Sequence, residues 1–289
     1  MWFWLALTFA FLVSIISLIS KIILRKADEY VVAWVSAWIG LPVLLLIILK
    51  FFQIPQVDSV FWLATLCSSS LNVIAGIFLY RAMKLTDLSL IAPISAFNPV
   101  FTTLVSFFTL GETPSLRGAL GVGIIVLGAY LLQFKALREG FLAPFKRLFS
   151  HKGVVLFLIS NLIWAITPTF EKTAIFHTKP EVPSFVSLIG GIFLSLGFLP
   201  IMLKKSKAPL VQFRAHLKLF VIIGALGGIA SFAGFTAFSL TNLGYATAIF
   251  KLSMVFTTVW GYLFLKEPGI KERFLGAAVM FGGVILLVS

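Results

Sequence analysis

The chain has 289 residues, 60% of them hydrophobic and only 11% charged, with a mean hydropathy of +1.08. Soluble domains are about a quarter charged, so this composition excludes an ordinary soluble enzyme or binding module and indicates a membrane protein. The net charge of +13 would suggest a nucleic-acid partner in a soluble protein. Here the basic residues fall between apolar segments, where they act as orientation signals and meet anionic lipid.

Windows of about 20 apolar residues, the length that crosses roughly 30 Å of hydrocarbon, recur along the chain. They predict ten helices, over 2–23, 31–50, 60–80, 88–110, 116–134, 153–176, 183–203, 217–240, 243–265 and 272–288. Such windows are too long and too uniformly apolar for barrel strands, and a helix satisfies its own backbone in hydrocarbon. The fold class read from the sequence is an all-α integral membrane protein with ten transmembrane helices.

The first span opens on Met1-Trp2-Phe3-Trp4, with no basic stretch before it and no small-residue cleavage site after it. It is expected to stay as a helix rather than be removed as a signal peptide. Span three holds the single cysteine, Cys67, in an apolar run that suits packing, and sets Asn72, Gly76 and Tyr80 on one stripe. Span four places Ser95, Asn98 and Thr102 on one stripe, with Pro93 and Pro99 interrupting its hydrogen-bond ladder. Asparagine at such depth serves either a neighbouring helix or a polar solute, and the sequence leaves both open. Glu112 and Glu267 each follow a span and precede the next, where a carboxylate suits capping of the following helix N-terminus.

Span six sets Asn161, Trp164, Pro168 and Glu171 at spacings of three and four, hence on one helical face. Pro168 frees a backbone carbonyl and permits a kink. Glu171 is a candidate coupling carboxylate, with a boundary charge at the outer surface as the alternative. Lys172 projects about 100° away from it and is badly placed to pair with it. Span eight carries Gly224, Gly227, Gly228 and Ser231 in small-xxx-small pairs, which close helix packing explains. Span nine contains Lys251 near its midpoint. A lysine at helix centre costs about 2.5–3.5 kcal/mol on insertion scales and usually faces the bundle interior or a wet cavity. Lys251 is therefore the first candidate for binding a carboxylate or phosphate, a structural ion pair being the alternative.

The chain also repeats itself. Tyr80–Leu132 aligns without gaps on Phe235–Leu287 at an offset of 155, with Val100-Phe101-Thr102-Thr103 falling on Val255-Phe256-Thr257-Thr258. Glu112/Glu267, Gly121/Gly276 and Gly128/Gly283 coincide as well. The division implied is a first five-helix repeat over 1–137, a basic connector over 138–152 and a second five-helix repeat over 153–289. An odd number of spans per repeat inserts the two with opposite orientation, the construction of carriers that hold their site between inverted halves.

Connectors on one side of the membrane carry 18 Lys and Arg residues and those on the other carry Lys50, Arg117, Lys172 and Lys179, which places both termini outside the cytoplasm. The connectors 135–152 and 204–218 mix Lys and Arg with Leu and Phe, and suit either the inner membrane surface or a solvated loop.

The stretches LIAPISAFNPVFTTLVSFFTLGETPSLRGALGVGIIVLGAYLL and TAIFKLSMVFTTVWGYLFLKEPGIKERFLGAAVMFGGVILL resemble the end of the EamA-type repeat of the drug/metabolite transporter superfamily, and NLIWAITPTFEKTAI resembles the first helix of such a repeat. The resemblance covers essentially the whole chain. It implies transport of small solutes such as amino acids, metabolites, drugs, sugar phosphates or nucleotide sugars. It also implies cytoplasmic termini, opposite to the charge bias.

His151, His177 and His216 are scattered without metal-ligand spacing, and the sequence has no Gly-rich phosphate loop, no nucleophile elbow and no ATP-binding domain. The expectation is a secondary active transporter, not an enzyme, with no cofactor. It would work by alternating access in the plasma (inner) membrane, exporting or exchanging a small polar metabolite such as an amino acid or an organic or phosphorylated anion. Lys251, Asn98, Asn161, Trp164, Tyr80, Asn72 and Ser95 are the candidate substrate-binding residues, and Glu171 the candidate coupling residue. The expected partners are the small-molecule substrate, a coupling proton or ion and the lipid bilayer, without nucleic acid, the protein being a monomer or homodimer. Efflux of drug-like or lipid-linked amphiphiles and a non-transporting scaffold are the alternatives.

Overall fold

The computed structural model describes residues 1–85, 95–132, 152–265 and 270–289, with the side chains of Tyr80, Met83, Lys84, Leu265 and 270–274 outside the description. In chain order the helices are α1 (Trp2–Leu24), α2 (Glu29–Trp38), α3 (Leu41–Phe51), α4 (Ser59–Leu85), α5 (Asn98–Leu110), α6 (Leu116–Leu131), α7 (Lys152–Phe176), α8 (Pro183–Lys205), α9 (Pro209–Ala215), α10 (Leu217–Leu240), α11 (Leu243–Phe250), α12 (Ser253–Leu265) and α13 (Ile270–Val288). Two-residue strands β1 (Gln56–Val57) and β2 (Thr178–Lys179) form an antiparallel ladder, Gln56 opposite Lys179 and Val57 opposite Thr178.

Among the described residues, seven helices are long and apolar enough to cross a membrane: 2–24, 29–51, 59–79, 152–176, 183–205, 217–240 and 243–264. Three more apolar helices, Asn98–Leu110, Leu116–Leu131 and Leu275–Val288, are shorter and stand next to stretches outside the description. They fall within the predicted spans 88–110, 116–134 and 272–288.

Three predicted helices are interrupted. The span over 31–50 breaks at Ile39-Gly40 because Pro42 lacks an N–H and its ring would meet the carbonyl of Trp38, the last residue of α2. Pro99 has the same relation to Ser95, and a turn at Ala96-Phe97 precedes α5. The third break, at Lys251-Leu252 between α11 and α12, has no proline behind it. It falls at the repeat position of Ala96-Phe97 (96 + 155 = 251), and α12 begins and ends 155 residues after α5 (98 to 253, 110 to 265). The duplication thus extends to where the helices start and stop.

The chain forms two compact units, Met1–Val73 with Phe170–Leu240 and Ile74–Thr169 with Thr241–Ser289. Each draws on both sequence repeats, and the boundaries fall inside α4 and inside α7, in α7 one residue beyond Pro168.

In the first unit α1 packs on α10, and α2 and α3 pack on α8 and α10. Lipid tails are as apolar as leucine, so helices associate here through close contact rather than water exclusion. Gly224 and Gly228 of α10 supply that contact against the α2–α3 break: a methyl group added to Gly228 would lie 2.8 Å from the Gly40 carbonyl oxygen. Ile23, Val31, Val35, Phe220 and Ile223 fill a buried cluster alongside. At one end of the unit Asp58 accepts hydrogen bonds from the Val60 and Phe61 amides, both at 3.0 Å, and so caps α4. Its other oxygen lies 2.7 Å from His177 Nδ1, beyond the end of α7. The His177 hydrogen bond holds the Asp58 carboxyl below its ordinary range. Elsewhere Asp28 accepts from Ser206 Oγ at 2.6 Å and Gln212 Nε2 at 2.8 Å, while its own amide donates to Gln212 Oε1 at 2.8 Å. These bonds clasp the α1–α2 turn to α9, and the Ser206 and Gln212 donors keep the Asp28 carboxyl low.

In the second unit α6 lies against α13, and α11 against α5 and α6. The α6–α13 contact is backbone on backbone. A methyl group on Gly128 would meet the Gly276 carbonyl oxygen at 2.7 Å, and one on Gly283 the Gly121 carbonyl oxygen at 2.9 Å. Glu112 caps a helix, but a different one from that expected: its Oε2 accepts from the Leu243 amide at 2.8 Å, at the start of α11. The helix that follows in sequence, α6, is capped instead by Ser115, whose Oγ accepts from the Gly118 amide at 3.1 Å. Glu267 lies outside the described residues.

Candidate functional site

Ser68 and Ser69 of α4 lie three and four residues after Thr65 and four and three before Asn72, which places the four on one face of a mainly apolar helix. That face borders a cavity of about 330 Å³ in the first unit. Glu171 of α7 reaches the same space, as do Ser36, Gly40 and Leu41 from the α2–α3 break, Ser187, Gly190 and Gly191 from α8, and Gly227 and Ser231 from α10. The lining therefore combines residues from both sequence repeats.

Small residues leave the space open. A methyl group added to Gly227 would meet nothing within 4 Å, and one added to Gly190 would be no nearer than 3.6 Å to Ser69 Oγ. Among the described residues that line the cavity, Glu171 is the one charged side chain. Ser68 Oγ donates to its Oε1 at 2.9 Å, and Asn72 Nδ2 approaches the same oxygen at 3.5 Å while donating to Ser68 Oγ at 3.3 Å. Both partners are neutral. They orient the carboxylate and soften its desolvation without cancelling its charge. Ser69 Oγ donates to the Gly190 carbonyl at 3.2 Å, tying α4 to α8 beside the cavity. Thr65 Oγ1, also in the lining, is buried with no hydrogen-bond partner among the described residues, which leaves it available to a bound molecule. A carboxylate ringed by hydroxyls can hold a proton, or the ammonium or hydroxyl groups of a solute. Glu171 thus faces a cavity walled by helices of the first unit. Its neighbour Lys172 is also buried, with Nζ 5.7 Å from the Phe176 ring centroid.

The predicted site residues divide between the units. Asn72 and Glu171 stand together in the first. Asn98, Asn161, Trp164, Ser95 and Lys251 belong to the second. There Asn98 Nδ2 donates to the Asn161 backbone carbonyl at 3.2 Å, a bond between α5 and α7 of the helix-joining kind. Asn161 is buried, and Trp164, Ser95 and Lys251 are partly exposed, Lys251 at the α11–α12 break. The side chain of Tyr80 lies outside the described residues. Glu171 and Asn161 share a helix face, but α7 passes from one unit to the other between them.

Ser68, Thr65 and Ser69 were not among the expected site residues. The signal for them was present as four polar side chains at helical spacing in an apolar span, since three hydroxyls and an amide on one stripe need something polar to face. Gly227 and Ser231, expected to serve packing, line the cavity instead.

Long apolar helices around a polar interior define a multi-pass membrane protein, and the matches to known proteins define its kind. The model of the EamA-like transporter family matches residues 1–134 and 151–289, so the chain belongs to that family and is a membrane transporter. An uncharacterized transporter of Methanothermobacter thermautotrophicus is 26% identical over 196 residues, 65% of this chain and about half (53%) of that one. An uncharacterized protein of Methanocaldococcus jannaschii is 30% identical over 95 residues, 33% of this chain and 69% of its own length. A protein of known crystal structure shares the fold at a TM-score of 0.77, over 99% of this chain and 95% of that chain, with 14% identity.

Proposed function

We propose that the chain is a secondary active transporter that exports or exchanges a small polar metabolite by alternating access, with Glu171 as its coupling carboxylate. One observation carries this: a carboxylate held by two neutral side chains among the described residues, Ser68 and Asn72, faces a cavity of about 330 Å³ inside apolar helices. An intramembrane acid is costly, and such groups mark ion and proton pathways. A proton and the polar group of a solute would compete for Glu171, and that competition couples the two fluxes. The size suits a molecule of amino-acid dimensions.

Ten spans in two inverted five-helix repeats, 1–137 and 153–289 joined by 138–152, are part of this reading. The matching bounds of α5 and α12 support it. So does the α6–α13 contact, where Gly128 meets Gly276 and Gly121 meets Gly283. The repeat mates are 121/276 and 128/283, so each glycine contacts the mate of the other. That crosswise pattern is what a two-fold axis across antiparallel helices produces. The lining of the cavity by both repeats fits a site held between inverted halves. Lys251, at a helix break repeated in both halves, is proposed to bind an anionic group of the solute, with Asn98, Asn161 and Trp164 shaping that region.

Comparing the solutes released by cells with and without the protein identifies the metabolite. Loss of that release in both Glu171→Gln and Lys251→Ala, with membrane insertion intact, is the expected result; full release in both overturns the reading. A plasma-membrane location with both termini outside is part of the proposal, the charge bias supporting the side of the termini, so alkaline phosphatase fused after Ser289 is expected to be active.

A further inference from the structure

The geometry points to a binding site for an anionic phospholipid beneath α9, with an acyl chain in an apolar cleft and the phosphate on the adjoining lysines. The cleft has a volume of about 320 Å³ and is walled by Trp34, Leu199, Met202, Leu203 and the run Ala208–Val211, a lining that among the described residues is apolar apart from the Trp34 indole N–H. It opens outward, since Leu203, Leu210 and Val211 are 62%, 64% and 66% exposed.

The chain interrupts this apolar wall with charge. Lys204, Lys205 and Lys207 stand between Leu203 and Ala208, and Arg214 lies one helical turn beyond Val211; all four are exposed. Asp28, beside the α8–α9 turn, is hydrogen-bonded to Ser206 and Gln212. An apolar slot bordered by clustered Lys and Arg matches a phospholipid, whose tail and phosphate are joined at that spacing, better than it matches a free anion.

The cleft is also built to persist. Ala208 holds a left-handed backbone (φ 53°), a conformation that an L-residue adopts at a cost and keeps only where its surroundings enforce it. The enforcement is visible: Gln212 Nε2 donates to the Lys207 carbonyl at 2.7 Å as well as to Asp28, so the α8–α9 turn is pinned to the start of α2. Trp34, on the opposite wall, belongs to that same α2.

This site is independent of the transport reading and is tested without any solute. The full-length protein in detergent is titrated with phosphatidylglycerol or with phosphatidylcholine of the same chains, and the bound lipid is counted by native mass spectrometry. The wild type is expected to retain phosphatidylglycerol about tenfold more tightly, the scale of one or two lysines near a phosphate. Two variants separate the halves of the site. Replacing Lys204, Lys205 and Lys207 together by Gln removes the headgroup preference. Val211→Trp, at an exposed position, fills the cleft and lowers retention of phosphatidylglycerol with the lysines intact. Glycerol phosphate, which lacks chains, is expected not to displace the lipid. Equal retention of the two lipids by the wild type, an unchanged preference in either variant, or displacement by glycerol phosphate would overturn the site. Unchanged thermal unfolding of both variants excludes misfolding as the cause of a loss.

Discussion

The two compact units use glycine for opposite ends. In the second, Gly121, Gly128, Gly276 and Gly283 bring α6 and α13 into backbone contact, and no side chain fits between them. In the first, Gly190 and Gly227 face the cavity and leave room that a larger residue would take. The first unit also uses glycine for contact, at Gly224 and Gly228, but on the helix face that meets the α2–α3 break. A glycine in a membrane helix therefore marks either a tight seam or a hollow, and its neighbours on the same face decide which. Hydroxyls accompany the hollow, through Thr65, Ser68, Ser69 and Ser231; Ile125, Leu132 and Met280 accompany the seam.

The largest effects are expected at the charge proposed to function in each unit. Glu171→Gln in the first and Lys251→Ala in the second should each reduce solute flux in proteoliposomes to the protein-free background while the protein still inserts. Next comes the seam. Gly276→Ala places a methyl group 2.6 Å from the Leu132 amide nitrogen and is expected to destabilise by about 1–3 kcal/mol, read as a lower unfolding temperature in detergent. Ser68→Ala removes a hydrogen bond within a membrane bundle, worth about 0.6–1.7 kcal/mol, and should weaken flux while leaving some activity. Gly227→Ala sharpens the contrast between the units: its stability should stay within about 0.5 kcal/mol of wild type, but the narrowed cavity should lower flux. Equal destabilisation by Gly227→Ala and Gly276→Ala would break the comparison.

The smallest effect belongs to Asp58, outside the spans. Its carboxyl is held low in the folded protein, chiefly by the His177 hydrogen bond, so ionised Asp58 favours folding. That contribution is present above the ordinary carboxylate value of 3.8 and is lost as pH falls through the depressed folded value. Asp58→Asn should therefore unfold at a slightly lower temperature than wild type at neutral pH, and the difference should close in strong acid.

Much of this architecture is legible in the sequence, for identifiable reasons. Composition and span length give the membrane class directly, and the constant offset of 155 anticipates that α5 and α12 share their bounds. Pro42 and Pro99 announce their helix breaks. The break at Lys251 has no such marker, and only its partner at Ala96-Phe97 gives it away. The site was half readable. Asn72 drew attention as a polar group within a span and Glu171 as an acid on the face of Asn161, Trp164 and Pro168, whereas Ser68 and Thr65 did not, because a hydroxyl in an apolar helix can bond its own backbone. Helical spacing put Glu171 and Asn161 on one face, but spacing carries no information about which compact unit each part of α7 enters. Glu112 read correctly as a helix cap and wrongly as to which helix, since a cap donated from a distant segment leaves no local pattern.

Proton-driven uptake in proteoliposomes tests the central claim most directly. With the released metabolite supplied and a pH gradient imposed, the wild type is expected to accumulate it against its own gradient, and Glu171→Gln to lose that accumulation. Undiminished proton-driven accumulation by Glu171→Gln would contradict the assignment of Glu171 as the coupling carboxylate.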